Sequence, residues 1–339
     1  MTEMHITKSI GAAFPPLLRL WALPFLVTLL IVLNVSGASL DTVQMTMIAS
    51  VAIVLAGIPH GTLDIEIASV RFGRSDAIGK LLILAAYICC ALLMVVLWRQ
   101  VPELALTAFL VISILHFSAD WRGGVEPFLA VMVGWALIAL PALSHPASVA
   151  MIFEMLTGNQ SGATIAAILA CTSVPAGLGS LVFVFWAYRR GDYLNASDVL
   201  SCLIASLCLP PLIAFSLFFC GLHSPRHMAD AMRETGGVSP RKKMAIIAAV
   251  FGLSIGLGVL LFISRVDATL DAGIIRTAFV LLSILTVPHF VLEQIMARKN
   301  SAQSKSLLSV FLQNLHAGRS PKSYCLYTFA TCQECGMRN

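Results

Sequence analysis

Three apolar segments of this chain each carry a histidine followed four residues later by a carboxylate, and a fourth ends in two histidines with the same spacing. On a helix, residues four apart lie on one face, so each pair would direct two ionisable groups at one site. Such groups are costly at the edge of an apolar helix and are usually retained for function. The pattern therefore indicates a metal site inside a membrane protein. The pairs are His60 with Asp64, His116 with Asp120, His289 with Glu293, and His223 with His227.

Neutral imidazole suits iron, copper, zinc and nickel. Four imidazoles without a thiolate would leave positions open on an octahedral ion, where O₂ or substrate can bind, whereas zinc would be saturated by them. This reasoning favours iron(II). Asp64, Asp120 and Glu293 then have a natural role in orienting the imidazoles by accepting the second ring N–H. Direct ligation by Asp64 or Asp120, or pairing with Arg226, is equally compatible with the sequence.

Aromatic residues flank these histidines and suggest a lipophilic substrate. A metal site at membrane depth can receive such a molecule directly from the bilayer. The alternative is ordinary aromatic packing or an interfacial belt. The rings belong to Phe117, Trp121, Phe218, Phe219 and Phe290.

The composition assigns the chain to the polytopic membrane proteins. Of its 339 residues, 58% are hydrophobic and only 12% are charged, against roughly a quarter charged in soluble domains. The net charge of +5 is scattered through connecting segments, which is typical of topology determinants and leaves no footprint for nucleic acid. We predict an all-α bundle of transmembrane helices and no nucleic-acid partner.

Nine apolar runs mark the membrane segments. The first is long enough to span a bilayer and lacks a clear cleavage site after it, so it is predicted to be a transmembrane helix and not a signal peptide. Pro59, Pro225 and Pro288 lie beside site histidines, and broken helices are tolerated where they line a cavity. The runs cover residues 17–35, 43–60, 80–98, 102–118, 127–143, 163–188, 199–222, 243–264 and 273–292.

The number of crossings decides the side on which the histidines emerge. With a cytoplasmic N-terminus, alternation through the nine runs would place His223 and His227 opposite His60 and His116, and would leave a basic cluster outside. One further crossing by the short apolar segment 146–156 brings all of them to the cytoplasmic side. We therefore predict about eight to ten membrane helices, several broken by proline, in a bacterial inner membrane.

Three regions follow from the composition. Residues 1–16 are predicted to be a cytoplasmic segment, residues 17–297 a transmembrane catalytic domain, and residues 298–339 a polar tail. Cys332 and Cys335 in the tail form a CxxC motif, which by itself lacks the four ligands of a zinc site.

The order and spacing of four motifs resemble those of the Brp/Blh family of membrane β-carotene 15,15′-dioxygenases, over about residues 45–297. Thr62 and Ser118 depart slightly from the family pattern, which bears on substrate fit more than on metal binding. The most specific motif is His223-Ser224-Pro225-Arg226-His227. The others are Pro59-His60-Gly61 with Leu63-Asp64, His116-Phe117 with Asp120, and Pro288-His289.

The resemblance implies a helical membrane enzyme that uses iron(II) and O₂ to cleave the central double bond of β-carotene into two retinal molecules. Retinal would supply a microbial rhodopsin, and membrane lipid would surround the enzyme. Four family histidines thought to bind iron correspond to His60, His116, His223 and His227. His289 corresponds to a further histidine whose role is open between ligand, substrate-facing residue and support for a ligand.

Two other classes of protein fit parts of the pattern. A membrane di-iron hydroxylase or desaturase acting on lipids needs about eight or more clustered histidines, whereas this chain has one HxxxH. A metal or proton transporter, or a bis-histidine haem protein, would not be an enzyme of this kind. Transporters often place ionisable groups near the membrane midplane and contain repeats, neither of which is evident here.

Overall fold

The computed structural model describes residues 16–37, 42–122, 126–263 and 270–316. Their regular secondary structure is helical throughout, with a 3₁₀ turn at Ala119–Trp121 and a π-helical turn at Phe219–His223. The α-helices are α1 Pro16–Val35, α2 Thr42–His60, α3 Asp64–Arg71, α4 Ala77–Gln100, α5 Pro102–Ser118, α6 Pro127–Ser144, α7 Pro146–Thr157, α8 Ser161–Arg189, α9 Tyr193–Cys208, α10 Pro211–Phe218, α11 Ser224–Glu234, α12 Pro240–Ile263 and α13 Leu270–His316.

Within the described residues, seven stretches are long and apolar enough to cross a membrane, and three shorter helices are also apolar. One of the shorter helices is α7, a 12-residue helix in the segment that the topology argument singled out. The predicted all-α polytopic bundle is confirmed. The seven stretches are Met47–Arg71, Ala77–Gln100, Pro102–Trp121, Pro127–Ser144, Ser161–Arg189, Pro240–Ile263 and Ala272–Lys299.

The helices differ in how much of their apolar surface is buried within the protein. The spans of α4 and α12 are only 11% buried, whereas the span of α6 is 56% buried. Large apolar side chains such as Leu93 on α4 and Leu260 on α12 point outward. Outward apolar faces of this length are what contact with lipid tails requires. The chain is accordingly a multi-pass membrane protein with α5 and α6 in its interior.

Proline divides the apolar run that was predicted over residues 199–222. Helix α9 ends at Cys208, and Leu209 has an extended backbone with ψ of 154°. A residue before proline avoids the helical region, and proline itself has no N–H to donate, so Pro210 and Pro211 stop one helix and begin another. The resulting helix α10 leads into the π-helical turn that ends at His223.

The chain forms two compact units. The first ends at Leu292 and the second begins at Glu293. Of the predicted site residues, Glu293 alone falls in the second unit. Residues 1–15 and the tail with Cys332 and Cys335 lie outside the described residues, and the predicted boundaries at 16 and 297 stay predictions.

Gly134 on α6 allows α5 and α6 to approach closely beside a site histidine. A Cβ atom at this position would lie 2.4 Å from the carbonyl oxygen of Ile114 and 3.0 Å from the backbone nitrogen of Ser118. Both atoms belong to α5, on either side of His116. Since backbone cannot yield as a flexible side chain can, glycine at this position fixes the placement of His116.

We expect Gly134→Ala to lower the free energy of unfolding by about 1–3 kcal/mol, because the added methyl group must push α5 away. Thermal unfolding in detergent micelles would measure this change. Gly256→Ala on α12 is the control, since a Cβ there meets no atom within 4 Å and alanine favours a helix. Equal stability of the two variants would contradict the proposed close contact.

Candidate metal centre

Four of the five predicted histidines converge on one place. The ring centroid of His116 lies 4.8 Å from that of His223, 5.1 Å from that of His227 and 5.1 Å from that of His289. His116 is therefore the middle ring of the group. His60 is the last residue of α2, but its side chain lies outside the described residues.

The ligand atoms of these residues are close enough to serve one ion. One atom each from His116, His227 and His289 lie within 4.8 Å of one another, and so do one atom each from Asp120, His223 and His227. Two ligands bound to one ion at about 2.1 Å are separated by no more than about 4.2 Å. Small side-chain movements would close that difference, so these residues could hold a metal ion.

The carboxylate of Asp120 contacts two of the histidines. Its Oδ2 lies 2.8 Å from His223 Nδ1, and its Oδ1 lies 3.3 Å from His227 Nε2. The side chains of Asp120 and His223 are 4% and 0% exposed. Because an ionised carboxylate only accepts hydrogen bonds, His223 Nδ1 carries the proton and donates. This arrangement leaves His223 Nε2 without a proton, so its lone pair can bind a metal ion.

Asp64 holds His289 in the same way. Asp64 Oδ2 accepts a hydrogen bond from His289 Nδ1 at 2.7 Å, and both side chains are buried. The bond joins α3 to α13 across 225 residues of sequence. It fixes the ring plane of His289 and directs Nε2 away from the carboxylate.

The four-residue spacing did not indicate these two bonds, since Asp120 bonds His223 and Asp64 bonds His289. A contact of Asp64 with His60 stays a prediction, because the His60 side chain lies outside the described residues. Helix α2 ends at His60 and α3 begins at Asp64 after a turn, so the two residues do not share a continuous helix. Asp120 lies in the 3₁₀ turn that follows α5, which turns its carboxylate toward His223 and His227.

The sequence left open a pairing of Arg226 with Asp64 or Asp120, but the structure pairs Arg226 with a different acid. Its Nη2 lies 2.5 Å from Asp198 Oδ2, and its guanidinium carbon lies 5.1 Å from the ring centre of Trp121. Asp198 on α9 thus neutralises this cation beside the site. Sequence reasoning missed Asp198, since nothing in its local spacing relates it to Arg226.

The π-helical turn places His223. Proline at 225 lacks the N–H that a regular helix would use at this point, and a widened turn accommodates the change in register. Small polar side chains fasten this segment to carbonyl groups of α2, as is common where helices pack in membranes. The contacts join Ser216 Oγ to the Ala49 oxygen at 3.5 Å, Cys220 Sγ to the Ala52 oxygen at 3.5 Å, and Ser224 Oγ to the Ala56 oxygen.

Aromatic rings surround the histidines, as the sequence suggested. Phe117 and Phe219 have ring centroids 4.9 Å and 5.4 Å from that of His223, and Phe290 lies 6.0 Å from His116. Phe219 can approach because α2 has a glycine opposite it: a Cβ on Gly57 would lie 2.9 Å from the Phe219 ring. The rings give the site apolar walls from which water is excluded.

Polar groups continue along α11 beyond the site. Burial raises the pKa of Asp230, while the guanidinium of Arg233, whose Nη1 lies 3.0 Å from Asp230 Oδ1, acts in the opposite direction. The side chains of Arg233 and Asp230 are 38% and 46% exposed, so α11 continues past the histidines as a polar segment.

The fold and the site define a multi-pass helical membrane protein with a buried centre of histidines and carboxylates. A family model described as beta-carotene 15,15′-dioxygenase matches residues 51–297, a range that contains all of the predicted site residues. The chain belongs to this family, and it is accordingly an oxidoreductase.

A curated relative agrees with this assignment. The beta-carotene 15,15′-dioxygenase of an uncultured marine bacterium, 66A03, is 29% identical to this chain over 262 residues, which cover 75% of this chain and 94% of the relative. No solved structure gives a significant match.

We expect Asp120→Asn and Asp64→Asn each to weaken metal affinity by about 10- to 100-fold, because an amide holds the imidazole less firmly and lowers its basicity. Competition with a chelator of known affinity would measure this loss. Asp76→Asn is a matched control, since Asp76 caps α4 by accepting a hydrogen bond from the Gly79 backbone nitrogen. Metal affinity that is unchanged in all three variants would show that the two carboxylates do not support the ligands.

Proposed function

We propose that this protein is an integral-membrane, non-haem iron(II) dioxygenase that cleaves the central 15,15′ double bond of β-carotene with O₂ to give two molecules of all-trans-retinal. The convergence of His116, His223, His227 and His289, in a chain whose relative is named for this activity, carries the proposal. The reaction breaks one carbon–carbon double bond and the O–O bond and forms two carbonyl groups. It therefore balances without an external reductant or a proton.

The proposed iron ligands are His60, His116, His223 and His227. The position of His289 beside His116 and His227 supports including it in the donor set. Iron(II), when bound, would supply the redox chemistry that allows O₂ to react with a polyene. Imidazole ligands without thiolate suit iron and leave room for a further ligand.

The side chains around these ligands have separate tasks. Asp120 and Asp64 hold protons on the outward ring nitrogens and fix the ring planes. The phenylalanine rings exclude water and present an apolar surface to the polyene. No protein acid or base is needed, because no proton is transferred in the overall reaction.

One ion per chain is favoured over two. His227 belongs to both groups of potential ligands in the described part of the chain, so a second ion would compete with the first for it. A di-iron hydroxylase or desaturase would need two ions, a haem protein would show a Soret band, and a transporter would consume no O₂.

We further propose that the protein lies in a bacterial inner membrane with its N-terminus in the cytoplasm. β-Carotene is soluble in the bilayer, so it would enter from lipid. The retinal that is released there could pass to a microbial rhodopsin in the same membrane.

Expression in a bacterium that accumulates β-carotene tests this function. We expect the orange colour to fade and retinal to appear in extracts analysed by chromatography, and we expect neither change with His223→Ala. Retained carotene with folded, iron-loaded protein would disprove the β-carotene assignment.

The iron content of purified variants tests the ligand set. We expect His60→Ala, His116→Ala, His223→Ala and His227→Ala each to lose the iron, because a missing imidazole opens a buried coordination position. Atomic absorption on protein that retains its thermal unfolding transition would measure this loss. A variant with full iron content would remove its histidine from the set.

A further inference from the structure

An apolar cavity of about 70 Å³ lies among α5, α6, α7, α10 and α13. A cavity of this size has room for a group as large as about two water molecules, at about 30 Å³ each. Its walls include Ile152 and Phe153 from α7, Phe215 from α10 and Phe279 from α13. Ser113 of α5 is the polar residue in this otherwise largely hydrocarbon lining.

The hydroxyl of Ser113 has no hydrogen-bond partner among the described residues, although the residue is only 1% exposed. Other hydroxyl groups on α5 are satisfied within the helix: Thr107 donates to the Glu103 carbonyl and Ser118 to the Leu115 carbonyl. A buried hydroxyl without a partner is costly. Because Ser113 is one of the residues that line the cavity, a rotation of its short side chain would let a ligand oxygen accept this hydrogen bond.

The cavity adjoins the histidine centre. Ser113 precedes His116 by one helical turn, so their Cβ atoms are about 5–6 Å apart. The aromatic wall leads to the same place. Phe279 stacks on Phe215 with centroids 6.4 Å apart, Phe215 stacks on Phe219 at 5.3 Å, and Phe219 stacks on His223 at 5.4 Å.

From these observations we propose that the cavity receives the polyene segment next to the cleaved bond, on one side of the metal centre. The Ser113 hydroxyl donates a hydrogen bond to the aldehyde oxygen that cleavage leaves on this segment. The proposal rests on the proposed function, since it requires a polyene that acquires a carbonyl group at this point. Under this proposal Ser113 is a product-binding residue. The cavity is large enough for a segment of a carotenoid but too small for a whole carotenoid.

Binding to metal-loaded protein without O₂ tests the proposal independently of turnover. All-trans-retinal and β-carotene are the two probes, and quenching of tryptophan fluorescence gives their dissociation constants. We expect Ser113→Ala to weaken retinal binding about two- to tenfold, the usual effect of one hydrogen bond, and to leave β-carotene binding unchanged. Ser113→Thr, which keeps a hydroxyl, should retain the affinity for retinal.

The apolar part of the cavity needs a second pair of variants. Ile152→Phe fills the cavity and should weaken the binding of both probes by tenfold or more. Met151→Phe, on the outward face of the same helix where Met151 is 50% exposed, should weaken neither. Ile138→Phe from the opposite wall replaces Ile152→Phe if that variant does not fold.

Two results would overturn the proposal. The first is that Ser113→Ala changes the dissociation constants for retinal and β-carotene equally, or changes neither. The second is that Ile152→Phe and Met151→Phe bind the probes with equal affinity. Failure of the proposed function is a separate result. The wild-type protein would then release no retinal from β-carotene in air, whatever its affinity for retinal.

Discussion

The side-chain carboxylates of Asp64 and Asp120 are buried beside apolar helices, where a carboxylate is stable only if a hydrogen-bonded partner accompanies it. Asp120 joins the turn after α5 to the π-helical turn and α11, and Asp64 joins α3 to α13. These bonds connect distant parts of the chain and set the ring planes of the histidines. The breaks in the helices let these acids face histidines on other elements, because a continuous helix would aim each acid along its own helix face.

Composition and spacing were sufficient for the fold class and for the convergence of four of the five histidines, His116, His223, His227 and His289. The structure has a 12-residue helix, α7, in the short segment that the charge argument singled out, and its crossing of the membrane stays a prediction. The pairing of acids with histidines could not be read in this way, because an i, i+4 spacing is informative only along an unbroken helix. A turn follows each of the helix ends near His60 and His116, so neither histidine shares an unbroken helix with the acid four residues later. Pro225 signalled a break near His223, but a break alone does not specify which side chain the turn will face.

Other site features had no sequence signal. The ion pair of Asp198 with Arg226 links residues 28 apart on different helices, and the unsatisfied hydroxyl of Ser113 looks like any serine in a membrane helix. Both depend on how helices pack. Family membership gives the histidine centre its chemical context, and the aromatic wall from Phe279 to His223 gives that centre an apolar surround.

The central claim is that one iron ion is held by imidazoles supported by buried carboxylates. X-ray absorption on the iron-loaded protein, with iron counted per chain, tests it most directly. The account predicts one iron with nitrogen and oxygen neighbours, the outer scattering of several imidazole rings, and no sulfur. Two irons per chain with a metal–metal distance, or a porphyrin signature, would contradict it.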